Sequence, residues 1–102
     1  MIDLKVYHDK TGFGACLICK DFECYGISED DKDLILKLSE TLKDVERVLK
    51  FRGGVFELDG RKFVAFRLNG CFLISPVEGD LGTAYYSAER VIVDEICGEG
   101  ER

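Results

Sequence analysis

The stretch FGACLICKDFECYG, residues 13 to 26, places Cys16, Cys19 and Cys24 within nine positions. Thiols so close together raise three chemistries: a metal centre, a redox pair, or strands filled with a small apolar residue. A metal centre needs several thiolates converging on one point. Cys16 and Cys19 have the usual gap of two, yet they lie in the apolar run GACLIC, which reads as a strand. In a strand, residues three apart point to opposite faces and stand about 10 Å from each other, so they cannot share an ion. The one histidine, His8, lies beside a separate turn-like stretch. No metal site is expected, and cysteines packed as small hydrophobes are the first expectation.

A disulfide is the live exception. With a two- or four-residue turn at Lys20-Asp21-Phe22-Glu23, Cys19 and Cys24 fall opposite each other, within bridging distance. A three-residue turn would break that register. Cys71 and Cys97 have no partner visible in the sequence, and five cysteines leave at least one unpaired within a single chain. None of the cysteines opens a helix and none has an evident histidine partner, so no nucleophile is set up. No glycine-rich phosphate loop stands between a strand and a helix, so no catalytic residues and no cofactor are expected.

The elements that hold these residues read clearly in places. IDLKVY, residues 2–7, alternates apolar with polar and suits a short half-buried strand, leaving 1–12 as an extended N-terminal segment. A hairpin follows. Ser28 then caps a helix whose first turn is Glu29-Asp30-Asp31, and Leu34, Ile35, Leu38, Leu42, Val45, Val48 and Leu49 form its stripe up to Gly53-Gly54. VFEL, RKFVAFRL and CFLIS are separated by Asp59-Gly60 and Asn69-Gly70, the dipeptides of tight hairpin turns. Phe63-Val64-Ala65-Phe66 is apolar on both sides, which predicts cover above and below the middle strand. A second helix runs over 81–97, and 98–102 is a tail. The expected fold is one α+β domain over 1–102: a five-stranded antiparallel sheet built as hairpin, helix, three-stranded meander, helix.

Composition narrows the class further. The net charge of −6 argues against nucleic-acid binding, since only Arg61, Lys62 and Arg67 approach a basic spot. No apolar run reaches the ~20 residues of a membrane span, and MIDLKVYHDK has no signal-peptide character, so a cytoplasmic protein without membrane contact is expected. One Asn, no Gln and abundant charge are a thermophile-like signature, and intracellular disulfides are known in such proteins.

GACLICKDFECYGISEDDKDLILKLSETL resembles the strand–turn–strand–helix opening of the roadblock/dynein light-chain family, whose fold is profilin-like. FELDGRKFVAFRLNGCFLISPVEGDLGTAYYSAERVIVDEI is similar to its second half, with Leu81-Gly82 entering the last helix. The resemblance covers residues 13–97. Its members begin with a helix, and that helix is expected to be missing here. The resemblance implies a non-enzymatic module that pairs with a second copy of itself through the strand after the long helix, Val55, Phe56, Glu57 and Leu58. It also implies a small Ras-like GTPase as partner. VFEL is the first strand of the meander and so a sheet edge, and Phe51 and Phe56 add apolar area beside it. The alternative expectation is a ligand- or redox-sensing domain using Cys19 and Cys24.

Overall fold

A computed structural model describes the backbone of residues 2–100 and the side chains of residues 2–96. Eight elements follow in order: α1 (Leu4–Thr11), β1 (Ala15–Ile18), β2 (Phe22–Tyr25), α2 (Glu29–Glu46), β3 (Gly53–Leu58), β4 (Arg61–Leu68), β5 (Cys71–Val77) and α3 (Leu81–Gly100). The five strands form one antiparallel sheet in the order β2-β1-β5-β4-β3. The meander closes through the expected turns: among the described residues, Asp59 and Asn69 are the two non-glycine residues with positive φ, 52° and 46°, and Gly60 and Gly70 follow at 77° and 83°.

The N-terminal segment corrects the sequence reading. Residues 4–11 form a helix, so the chain has the leading helix it was expected to lack. Period-two alternation in IDLKVY competes with a helical set, Leu4 and Tyr7, that shares the buried cluster with Ile2. The ends decide for the helix. Asp3 accepts from the N–H groups of Lys5 (2.9 Å) and Val6 (3.2 Å), and Gly12, at φ 82°, donates its N–H to the carbonyl of His8 at 2.8 Å. Ile2 and Tyr7 lie one before and four after the cap, the positions of a hydrophobic staple.

Both sheet faces are covered. Ile2, Leu4 and Tyr7 of the N-terminal region and Ala84, Ala88 and Ile92 of α3 bury Leu17, Val64, Phe66 and Leu73 on one face. Ile35, Leu38 and Leu42 of α2 bury Cys16, Phe63, Ala65, Phe72 and Ile74 on the other. Phe63-Val64-Ala65-Phe66 is therefore sealed on both sides, as its composition predicts.

α2 stops earlier than its stripe implies. Its last residue is Glu46, and the turn that follows leaves Val48 83% and Leu49 59% exposed. The Glu46 carboxylate accepts the N–H of Phe51 at 3.1 Å and lies 3.1 Å from Nε of Arg67, which turns the chain into β3. Gly53 is then a strand residue instead of a helix stop. It lies under Tyr85, which stacks on Phe66 at 4.9 Å, and a Cβ there would come within 2.5 Å of the Tyr85 hydroxyl.

One buried polar contact ties α1 to the sheet. The Tyr7 and Ser75 hydroxyls lie 2.7 Å apart, and neither residue has exposed surface. Burial pushes the Tyr7 phenol up to about 12 from 10.0, against a smaller opposing pull from the Ser75 hydrogen bond. Between these values the unfolded chain ionises while the native chain keeps its proton. Stability is therefore full below pH 10 and falls as pH rises towards 12, by about 2–3 kcal/mol, since each tenfold difference in proton affinity is worth ~1.4 kcal/mol. Denaturant midpoints measured from pH 9 to 12 should decline in the parent and much less in Tyr7→Phe. Equal declines in both would contradict this account.

Candidate functional site

The sheet has two free edges, β2 and β3. β2 has four residues and β3 has six, so β3 offers the longer row of unpaired backbone groups. The phase of the ladder decides which groups face outward. Arg67 donates its N–H to the carbonyl of Arg52 at 2.9 Å, in register with Gly53↔Phe66. In an antiparallel pair the hydrogen-bonded class alternates, so Gly54, Phe56 and Leu58 bond to β4. The N–H and C=O groups of Gly53, Val55 and Glu57 point away from β4, into the open edge.

The five expected interface residues divide along the same line. Val55, 44% exposed, and Glu57, also exposed, supply the outward backbone groups. Phe56 and Leu58 are half-buried against the α2-face cluster. Phe51 packs on Phe56 at 5.9 Å and on Phe72 at 6.2 Å, and closes the rim of that cluster. Val48 and Leu49 lie a few residues upstream as exposed apolar surface. The helical stripe absorbed both in the sequence reading, and the turn after Glu46 releases them.

The basic spot is already engaged. Arg61 donates to Asp31 at 3.0 Å, Arg67 is paired with Glu46, and Lys62 donates to the carbonyl of Gly79 at 3.2 Å.

The cysteines form two disulfides, and neither is the expected Cys19–Cys24 bond. Cys16 is bonded to Cys24, with Cα atoms 4.0 Å apart, and Cys19 to Cys71, with Cα atoms 4.4 Å apart. The turn between β1 and β2 holds three residues, Cys19 to Asp21, since Ile18 pairs with Phe22. That register puts Cys16 opposite Cys24 and leaves Cys19 in the turn, beside the start of β5. Cys19 thus lies outside β1 and not within a strand as expected; Cys16 belongs to the α2-face cluster and Cys19 packs against the other. Cys97 lies beyond the residues whose side chains are described. His8 faces the carbonyl of Phe13 at 3.1 Å and the ring of Tyr25 at 5.3 Å. Among the described residues, no three His, Cys, Asp or Glu side chains converge on a point that could hold an ion. Among them, too, no helix is long and apolar enough to cross a membrane.

No protein-family model matches the chain, and no curated protein matches it at a significant level.

Proposed function

We propose that the chain is a non-enzymatic interaction module that pairs with a second copy of itself through β3 and regulates or scaffolds a small Ras-like GTPase. The observation that carries the reading is the open β3 edge, with the backbone groups of Gly53, Val55 and Glu57 aimed outward. A two-fold pairing centred on Val55 opposes the two Val55 residues and sets each Glu57 across from the partner's Gly53. Centring on Glu57 would oppose two carboxylates, which is unfavourable. Exposed Val48 and Leu49 add apolar surface near the same strand.

The GTPase part rests on the roadblock-like order of elements. With α1 in place, that order runs helix, hairpin, helix, meander, helix, and the leading helix supports the reading. The buried hydroxyl pair of Tyr7 and Ser75 has no access to a substrate, so its role is packing. The test is affinity capture from native extract with the purified chain as bait, in GTP and in GDP, read by mass spectrometry. A small GTPase recovered in one nucleotide state and lost in the other is the expected result. Recovery of the bait alone in both states would remove the GTPase from the reading.

A redox-sensing role is the second reading, with the cysteine pairs as observed instead of Cys19 with Cys24. One cysteine of each pair, Cys24 and Cys19, keeps part of its surface exposed, which favours it.

A further inference from the structure

β3 carries its exposed side chains on one face. Gly53, Val55 and Glu57 alternate with Gly54, Phe56 and Leu58, and the last two pack on the α2 side, so the first three face α3. There Tyr85 of α3 reaches across the final two strands. Its ring stacks on Phe66 of β4 at 4.9 Å, and its hydroxyl stands over Gly53 of β3, where a Cβ would come within 2.5 Å of it. The phenol thus aims at the open edge, above the one position of that face with no side chain. Among the described residues the hydroxyl has no hydrogen-bond partner, and no buried side-chain oxygen lacks one, so the half-buried Tyr85 keeps its oxygen open to the surface.

We propose that in the β3-paired dimer the Tyr85 hydroxyl of each copy donates a hydrogen bond to the partner's Glu57 carboxylate, and that these two reciprocal bonds fix the register. This rests on the β3 pairing proposed above and adds the contact that selects its centre. Only the pairing centred on Val55 sets Glu57 opposite Gly53, and two-fold symmetry makes the contact twice. Directly opposite residues hold their Cβ positions about 5.5 Å apart. The glutamate side chain and the Tyr85 hydroxyl close that gap from its two sides, and the slot between them exists because Gly53 has no side chain.

Both groups are ready for the bond. Burial, and then the Glu89 carboxylate, push the Tyr85 phenol up, so it keeps its proton and donates. Glu57 forms no ion pair among the described residues: Lys62, opposite it on β4, donates instead to the carbonyl of Gly79 at 3.2 Å. A hydrogen bond to a carboxylate is also stronger than one between neutral groups.

The test mixes the Glu57→Ala and Tyr85→Phe chains, one of them isotope-labelled, and counts the dimers by native mass spectrometry. Each variant homodimer has lost both contacts. The mixed dimer keeps one whole contact, from the Tyr85 of one chain to the Glu57 of the other. A bond worth about 10-fold in affinity lifts the mixed dimer from the statistical half to about nine-tenths of all dimers. Both variants should keep the parent's circular dichroism, since one retains the stacked ring and the other changes an exposed side chain. A dimeric parent whose variants mix at one half or below overturns the Tyr85–Glu57 contact and leaves the β3 pairing standing. A parent that is a monomer at micromolar concentration removes both.

Discussion

Replacing Cys19 and Cys71 together by alanine is expected to lower the stability of the oxidised protein by about 4 kcal/mol, against about 2.5 kcal/mol for Cys16 and Cys24 together. The difference comes from the unfolded chain. The Cys19–Cys71 bond spans 52 positions and the Cys16–Cys24 bond spans 8, so the first withdraws more freedom from the denatured ensemble. A loss near 4 kcal/mol is a large share of the 5–15 kcal/mol that holds a typical domain together. Urea unfolding of the two double variants and the parent measures it. If removing the Cys16–Cys24 pair proves the costlier change, loop closure is not what these bonds contribute.

The second large effect is expected at Gly14. Gly14 and Gly26 face each other one step beyond the Ala15↔Tyr25 pair, where the hairpin opens. A Cβ on Gly14 would drive into the carbonyl oxygen of Gly26 and lie 2.8 Å from its carbonyl carbon, with Ile27 Cδ1 at 2.9 Å. Two of these atoms are backbone and cannot rotate aside. Gly14→Val must therefore push β2 away from β1, at a cost of about 3 kcal/mol or more. Gly26 separates the steric cause from general loss of a glycine. It has φ 70°, but a Cβ there meets nothing closer than 3.5 Å, so Gly26→Ala should cost only the ~1–2 kcal/mol of a left-handed residue. Thermal or denaturant unfolding of both variants should show that ranking, and equal losses would contradict it.

How much of this was legible in the sequence differs from element to element. The tight turns were plain, because Asp-Gly and Asn-Gly tolerate positive φ where few other pairs do. The start of α2 was plain too: Ser28 accepts the N–H of Asp31 at 3.2 Å, although the Asp31 carboxylate turns to Arg61 instead of closing a capping box. α1 was hidden because eight residues offer too few repeats to separate a period of two from one of 3.6. The signal that could have found it was the pair of caps, Asp3 and Gly12. The cysteine pairing was out of reach for two reasons. A one-residue change in the turn reverses every partner across a hairpin, and Cys71 reaches Cys19 only through the β1–β5 ladder. The edge itself was legible, since VFEL opens the meander. Which of its groups face outward was not, because that depends on the phase of the β3–β4 ladder, fixed at Arg52 and Arg67.

The central claim is that the outward groups of β3 join two copies, and the substitution Val55→Pro probes it directly. Proline removes the Val55 N–H, which faces the open edge and takes no part in the ladder to β4, so the fold of a single chain should persist. Sedimentation equilibrium of the parent and the variant is the measurement. The account predicts a parent of twice 11.5 kDa and a variant of 11.5 kDa with unchanged circular dichroism. A parent that stays at 11.5 kDa at micromolar concentration, or a variant as dimeric as the parent, would contradict it.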